Sequence, residues 1–264
     1  SHLSFDPLVT IQSHGQKVSI TCNQQTNHVS ANPFTVLRDY QTQLACKVEQ
    51  PLSGYIGGMV GFISYDAIRL IEEIPDNNEN IDGVPDIMFR FYRNNITFDH
   101  QTEKVIITTV IEINDDIAKC YQQAMQKIEN ISSQILTYKD DHHNNIHGDQ
   151  TDSSTIKIET SDQTYCEMVR QAKQKIVEGE VFQVVPSRQF SAKISAKPFD
   201  VYRALRFCNP SPYMFYIEGD DYVIAGASPE KLISIKNGTM ESCPLAGTRA
   251  RGAQADELIA AELL

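Results

Sequence analysis

The stretch that decides the fold lies between residues 213 and 244 and contains two predicted hairpins. The first is Tyr213-Met-Phe-Tyr-Ile-Glu-Gly-Asp-Asp-Tyr-Val-Ile-Ala225, in which residues 218–221 form the turn. The second is Leu232-Ile-Ser-Ile-Lys-Asn-Gly-Thr-Met-Glu-Ser-Cys-Pro244, in which Asn237-Gly238 is a strong signal for a two-residue turn. Antiparallel hairpins combined with separate helices predict an α+β layered fold, and they argue against a doubly wound parallel sheet.

The elements before these hairpins are predicted from caps and hydrophobic periodicity. In the same half of the chain, the capping-box pattern Thr164-Tyr-Cys-Glu167 predicts a helix that ends at Gly179. A strand over 182–185 and a helix over 198–207 follow. In the first half we predict a hairpin (8–12 and 17–21), a helix capped by Asn32 (to 44), strands at 86–99 and 104–112, and a long amphipathic helix at 114–136.

Gly54-Tyr-Ile-Gly-Gly-Met-Val-Gly-Phe-Ile-Ser-Tyr-Asp66 carries several glycines, which could indicate a phosphate-binding loop. No Gly-Lys-Ser/Thr follows, and no acidic residue stands where a dinucleotide ribose would need one. A buried strand with close backbone packing is the favoured interpretation, followed by a short helix over 65–73.

A strongly polar segment over 138–155 marks the clearest change in composition. His142, His143 and His147 could bind a metal there, but nothing apolar nearby would hold the ligands in place, so a solvated linker is favoured. We therefore divide the chain into an N-terminal region (1–137), a polar linker (138–160) and a second region (161–264).

Composition excludes several classes of function. The formal charge of −11 argues against nucleic acid or an anionic membrane as a partner. No apolar run has the length of a spanning helix, and the first residues lack a secretory signal pattern. The six scattered cysteines indicate free thiols and a cytoplasmic protein. The chain begins with Ser and ends within an amphipathic helix pattern, from which we expect truncation at both ends.

Four segments at the ends of apolar runs predict a pocket for an anionic metabolite. They are Val181-Phe-Gln-Val-Val-Pro-Ser-Arg188, Asn209-Pro-Ser-Pro-Tyr-Met-Phe215, Gly226-Ala-Ser-Pro-Glu230 and Pro244-Leu-Ala-Gly-Thr-Arg-Ala-Arg-Gly252. All seven histidines lie at or before His147, which excludes a histidine-based triad within the second half. Glu230 is the candidate general acid, if the pocket rim desolvates it; an exposed glutamate at a strand end is the equal alternative.

These four segments, in this order, resemble the large subunit (component I) of anthranilate synthase, a family of chorismate-utilising enzymes. The resemblance extends from about Phe5 to the last residue, and Gly57-Gly-Met-Val-Gly-Phe-Ile-Ser-Tyr-Asp66 is similar to the family's N-terminal signature. It implies that residues 1–137 are the family's N-terminal-type region and that residues 161–264 are the first part of its chorismate-binding catalytic region. It implies a fold of mostly antiparallel sheets packed as a sandwich and flanked by helices. It also implies that ammonia from a glutamine amidotransferase subunit (component II) adds to C2 of chorismate, and that pyruvate is then eliminated to give anthranilate for tryptophan biosynthesis.

The resemblance also assigns roles to site residues. Glu230 matches the family's general acid, and Gly247 and Thr248 match contacts to the substrate carboxylate. Gln183 and Ala246 occupy positions where relatives that use water, or that aminate at C4, carry lysine. Amination at C2 is therefore implied.

Regulation and metal binding are implied only in part. Pro212, Tyr213 and Met214 match one half of a feedback site for tryptophan, and no copy of the Leu-Leu-Glu-Ser segment that forms the other half occurs in this chain. Mg²⁺ is implied as cofactor, with its ligands expected beyond Leu264. This fragment is therefore expected to be inactive alone. The alternatives are a 2-amino-2-deoxyisochorismate synthase and a non-catalytic module that binds tryptophan or docks an amidotransferase.

Overall fold

A computed structural model describes residues 1–45, 55–76, 83–113, 115–138 and 156–244. The chain divides into two compact units, Ser1–His142 and His143–Leu264. The assignment of residues 1–137, 138–160 and 161–264 to separate roles stays a prediction. Most of the polar segment with His142, His143 and His147 lies outside the described residues.

The first unit contains a six-stranded antiparallel sheet. Its strands are β1 (His2–His14), β2 (Lys17–Cys22), β3 (Gln25–Ser30), β4 (Gly58–Ile63), β5 (Ile87–Asp99) and β6 (Lys104–Thr109). Their order is β3-β2-β1-β5-β4, and β6 pairs with the second half of β5. The predicted β1–β2 hairpin is confirmed. The edge strand β3 was not predicted, because all its residues are exposed and it has no alternation of apolar and polar side chains.

The long central strand β5 aligns the apolar residues of this sheet. Its register places Phe91 opposite Val9 and Phe89 opposite Ile11, so these side chains share one face of the sheet. Val9, Ile11, Val18 and Phe91 form the buried core of this face. Helix α1 (Pro33–Gln43) covers the face with Val36, Leu37 and Tyr40.

The helices of the first unit begin close to the predicted positions. Asn32 caps α1 by accepting the Phe34 N–H at 2.9 Å, as expected. The short helix is a 3₁₀ helix over Tyr65–Leu70, so it ends three residues before the predicted boundary at 73. Helix α2 (Ile117–Thr137) is capped by Asp116 and buries Cys120 and Ile131. Ile117 and Tyr121, two of the apolar residues that repeat along the predicted amphipathic helix, are exposed.

Replacement of the α1 cap tests the contribution of this helix to the first unit. We expect Asn32→Ala to lower the free energy of unfolding by about 1 kcal/mol, because the Phe34 N–H loses its acceptor. Urea unfolding followed by circular dichroism measures the change. Asn27→Ala, on the exposed edge strand, serves as control and should leave the midpoint unchanged. An equal loss in both variants would contradict this role of the cap.

The glycine-rich stretch forms the half-buried strand β4, and no phosphate loop is found there. Gly61 pairs with Phe89 of β5, and the backbones approach so closely that a Cβ on Gly61 would lie 1.8 Å from the Met88 carbonyl oxygen. The predicted close backbone packing is confirmed, and this approach explains why glycine is required at position 61.

Among its described residues, the second unit contains short antiparallel pairs and two helices. Its elements are β7 (Lys157–Ile158), α3 (Asp162–Val177), β8 (Phe190–Ser191), α4 (Pro198–Cys208), β9 (Tyr213–Glu218), β10 (Val223–Ser228), β11 (Ser234–Lys236) and β12 (Thr239–Glu241). Both predicted hairpins are confirmed as β9–β10 and β11–β12. Asn237 and Gly238 have φ values of 51° and 76°, which is the turn that their sequence predicts.

The predicted start of α3 is wrong by one turn. Ser161 is the cap and accepts the Thr164 N–H at 3.1 Å, so Thr164 lies inside the first turn. Glu167 pairs with Arg170 along the helix instead of closing a capping box. The predicted end is confirmed, because Gly179 (φ 79°) follows the last turn and its N–H donates to the Ile176 carbonyl.

The predicted strand over 182–185 is not found among the described residues. A strand needs a neighbour to accept its backbone hydrogen bonds, and no described segment pairs with it. Residues 157–158 and 190–191 form a short pair that the sequence did not indicate.

The α+β class with antiparallel sheets is confirmed. The sandwich packing of these sheets stays a prediction. Within the described ranges, no helix combines the length and apolar character that a membrane span requires.

Candidate functional site

The β9–β10 hairpin brings two predicted groups of site residues to one end. Its register pairs Tyr213 with Ser228 and Met214 with Ala227. Pro212 and Tyr213, at the start of β9, therefore lie beside the residues that lead from the end of β10 to Glu230. The predicted general acid and the predicted tryptophan contacts share this end of the hairpin.

The two faces of the hairpin have different surroundings. Tyr216 packs against Phe199 and Tyr202 of α4, with ring centroids 5.2 and 5.6 Å apart. Burial and a hydrogen bond to Glu218 raise the pKa of Tyr216. Because side chains alternate along a strand, Met214 shares this covered face and is half-buried.

Tyr213 and Phe215 lie on the opposite, more exposed face. The Phe215 ring covers Gly226, where an added Cβ would lie 2.2 Å from a ring carbon. The three predicted tryptophan contacts are therefore divided: Pro212 and Tyr213 are exposed, and Met214 turns toward α4.

Glu230 is held by a local turn. The Ser228 Oγ accepts the Glu230 N–H at 3.4 Å and donates to the Glu230 carbonyl at 3.1 Å. Pro229 restricts the backbone between them. Glu230 itself is exposed, so the described residues do not supply the desolvation expected from the sequence.

Lys231 fixes the chain on the other side of Glu230. Its Nζ donates to Glu241 at 3.1 Å and to the Ser234 Oγ at 3.3 Å, and this ties the segment to the β11–β12 hairpin. The hydrogen bond to Glu241 raises the pKa of Lys231, and Lys231 in turn lowers the pKa of Glu241. Residues on both sides of Glu230 are thus anchored, while Glu230 faces solvent. Lys231 and the anchoring role of Ser228 were not predicted from the sequence, although the Ser-Pro pair is a signal for a fixed turn.

Gln183 is exposed and lies in the segment for which a strand was predicted. This segment is attached to α3 just after Gln183. The Tyr165 hydroxyl donates to the Pro186 carbonyl at 3.3 Å. Arg188 pairs with Asp162 and stacks over the rings of Tyr165 and Phe190, 5.1 and 4.7 Å from their centroids. We call Asp162, Tyr165, Arg188 and Phe190 the Arg188 clamp.

Loss of the clamp should loosen the segment that follows Gln183. We expect Arg188→Lys to keep the charge but to lose the planar stacking on the two rings. A stacking contact of this kind stabilises a partly exposed site by about 0.5 to 1 kcal/mol. Backbone hydrogen exchange at residues 187–191 should accelerate. Arg170→Lys is the control, because Arg170 pairs with Glu167 on the same helix without a ring contact in the described residues. Unchanged exchange in Arg188→Lys would contradict the clamp.

The remaining predicted site residues, Ala246, Gly247 and Thr248, lie outside the described residues. Among the residues that are described, no group of three or more His, Cys, Asp or Glu side chains could hold a metal ion. A cavity of about 470 Å³ between α1 and the sheet, and another of about 590 Å³ beside α2, belong to the first unit. None of the predicted site residues lines either cavity.

Comparison with known proteins supplies the context for this site. Residues 3–264 match the family of chorismate binding enzymes. Anthranilate synthase component 1 of Acetivibrio thermocellus is 33% identical over 270 residues, which cover 100% of this chain and 55% of that protein. Anthranilate synthase component 1 of Bacillus subtilis is 29% identical, again over 100% of this chain and 53% of that protein.

A solved structure agrees with these matches. Anthranilate synthase component I from Streptococcus pneumoniae superposes with a TM-score of 0.71 at 31% identity, over 91% of this chain and 52% of that one. The chain spans about half the length of the curated relatives it matches.

Proposed function

The chain belongs to the chorismate-binding enzyme family, and from this membership we propose that it is part of an anthranilate synthase large subunit. The proposed reaction adds ammonia to C2 of chorismate and eliminates pyruvate, so that anthranilate forms. The observation that carries this proposal is the match over residues 3–264, together with relatives and a solved structure that are all anthranilate synthase component I.

We assign to Glu230 the role of general acid. The nitrogen lone pair forms the C2–N bond, the ring double bonds shift, and the C4–O bond breaks. Glu230 would donate its proton to the departing oxygen, which leaves as water. The anchored turn from Ser228 to Lys231 supports this role, since it restricts where the carboxyl can lie. Glu230 is exposed, so the desolvation that a general acid needs has to come from groups outside the described residues.

Other roles follow from the residues present. Gln183 cannot act as a general base at neutral pH, which supports ammonia over an activated water as the nucleophile. Ala246 has no amine with which to attack C2, which supports direct amination there. Gly247 and Thr248 would bind a substrate carboxylate through a backbone N–H and a hydroxyl.

Chorismate-binding enzymes of this kind generally depend on Mg²⁺. The described residues do not fit a magnesium site, because no three carboxylate, imidazole or thiol side chains among them converge. No step of the proposed reaction is assigned to the ion. The proposed partners are chorismate and a glutamine amidotransferase subunit that supplies ammonia, and tryptophan is the proposed inhibitor of the complete protein through Pro212, Tyr213 and Met214. We place the protein in the cytoplasm, consistent with free cysteines at the described positions.

The chain alone should produce little or no anthranilate. We expect this result because Glu230 is exposed and the described residues lack a metal site. Incubation with chorismate, Mg²⁺ and ammonium salt, followed by anthranilate fluorescence, measures the rate. A rate comparable with that of a complete component I would contradict this expectation.

Joining the chain to the unmatched part of the Streptococcus pneumoniae component I provides the positive test. The proposed function predicts anthranilate and pyruvate in equal amounts. An amino product without pyruvate would instead indicate a 2-amino-2-deoxyisochorismate synthase. Tryptophan binding without any product would indicate a non-catalytic module.

A further inference from the structure

The cavity of about 470 Å³ between α1 and the sheet has no role in the proposed reaction. Its walls include Leu37 and Leu44 of α1 and, from the sheet, Met59, Phe89 and Phe91. Gaps between well-packed side chains rarely exceed the size of a water molecule. Sites for small molecules, in contrast, have volumes of about 300 to 1,000 Å³. This cavity therefore has the size of a ligand site in a unit whose remaining core is packed.

The chemistry of the lining restricts what can enter. Among the described residues that line the cavity, Gln41 carries the polar side chain and none carries a formal charge. An ion that loses its water without a counter-charge is strongly disfavoured, so the lining favours a neutral molecule. Phe89 and Phe91 offer ring contacts, and Met59 adds a polarizable sulfur that packs well against aromatic rings. The lining thus fits a neutral aromatic molecule with one hydrogen-bonding group.

One wall of the cavity is backbone that only glycine adopts readily. Gly57 and Gly58 both line the cavity, with φ values of 147° and 124°. A Cβ added at Gly57 would lie 2.9 Å from the Val110 Cγ2, on the same lining. Neither glycine places a side chain in the space, so the cavity keeps its volume at this wall. Unusual backbone conformations of this kind persist where the surrounding structure holds them, and they are common at ligand sites.

A network of hydrogen bonds holds this wall in place. The fully buried Asn95 donates from Nδ2 to the Ile56 carbonyl at 3.2 Å, and the Thr97 hydroxyl donates to the Tyr55 carbonyl at 3.3 Å. The Tyr55 hydroxyl donates to the Gly58 carbonyl at 2.8 Å. Burial raises the pKa of Tyr55 to about 12, so this donor keeps its proton at neutral pH. A wall that is fixed before binding lowers the entropic cost of holding a ligand.

We propose that the cavity between α1 and the sheet binds a small neutral aromatic molecule. Its ring packs against Leu37 of α1 and against Phe89 and Phe91 of β5, and its hydrogen-bonding group contacts the Gln41 amide. This site lies within the first unit and includes none of the residues assigned to the reaction of chorismate. The proposal therefore goes beyond the proposed function and does not depend on it.

Titration of the full chain with 2-naphthol, a neutral two-ring probe, tests the site. We expect a one-to-one complex by calorimetry, with Kd below about 1 mM for a ligand of this size. In NMR spectra, the methyl signals of Leu37, Leu44 and Met59 should shift, whereas that of Met125 on α2 should not. 2-Naphthoate has the same rings and a negative charge, so it should bind at least about tenfold more weakly.

Gln41→Leu removes the amide at similar bulk. It should weaken 2-naphthol binding about threefold to tenfold and leave the binding of naphthalene, which has no hydroxyl, unchanged. Gln43→Leu is the matched control, because Gln43 is exposed on the same helix and does not line the cavity. It should bind both probes like the unsubstituted chain, and circular dichroism checks the fold of each variant.

Several results would overturn the proposal. They are the absence of saturable 2-naphthol binding, methyl shifts that do not include the cavity residues, equal affinity for 2-naphthoate, and equal effects of Gln41→Leu and Gln43→Leu. The comparison of 2-naphthol with 2-naphthoate uses the unsubstituted chain, so it stands even if a variant fails to fold. None of these measurements involves chorismate, and a failure of the proposed reaction would leave them unchanged.

Discussion

Glu230→Gln should lower kcat for anthranilate formation by about 10²- to 10⁴-fold, the range typical of a lost general acid. Gln keeps the shape of the side chain but has no proton to give to the departing oxygen. KM for chorismate should change little, because the substitution removes an interaction needed in the transition state. The assay uses the chain joined to the unmatched part of the Streptococcus pneumoniae component I, with ammonium salt as the nitrogen source.

Glu218→Gln is the matched control, because this exposed glutamate lies at the other end of the same hairpin. It should keep kcat within about twofold, as expected for a surface substitution away from the reacting atoms. A Glu230→Gln enzyme that keeps most of its activity would remove Glu230 from the mechanism. An equal loss in both variants would indicate damage to the hairpin instead of loss of a proton donor.

Gly61→Ala is expected to destabilise the first unit by about 3 kcal/mol or more, at the upper end of what overpacking normally costs. The new Cβ would lie 1.8 Å from the Met88 carbonyl oxygen and 2.7 Å from the Phe89 Cα, and both are backbone atoms that cannot rotate away. The β4–β5 pair would have to separate. Urea unfolding monitored by circular dichroism gives the free energy.

Val60→Ala, at the neighbouring position of the same strand, provides the comparison. Val60 is 39% exposed, so its truncation should cost less than about 1 kcal/mol. Similar losses in the two variants would show that the close approach at Gly61 can relax, and the glycine requirement would then be withdrawn.

Local signals predicted most of the elements. The hairpins at 213–228 and 234–241, the Asn32 cap and the Gly179 helix end each depend on residues within one or two turns of each other. Pairings between distant segments had no such local signal. No sequence motif within β1 or β5 indicates that these two strands pair with each other. The start of α3 was misplaced because both Ser161 and Thr164 are good caps, and the fold selects the earlier one.

The strand predicted over 182–185 did not form, because local composition does not specify a pairing partner. Its composition favours β structure, but a strand forms only where a neighbour completes its hydrogen bonds. For the candidate site, sequence motifs identified Glu230 and Gln183, but they could not show that Glu230 is exposed. Exposure depends on which other segments cover a residue, and this information is absent from a local motif.

The central position of β5 has a consequence for synthesis on the ribosome. Ser4 and Asn95, which hydrogen-bond between β1 and β5, are 91 residues apart in sequence. At a translation rate of about 5 to 20 residues per second, roughly 5 to 20 s pass between the synthesis of β1 and the synthesis of β5, with which it pairs. Until β5 has been synthesised, one edge of β1 lacks its native neighbour, and an unpaired strand edge is a site at which aggregation or chaperone binding is expected.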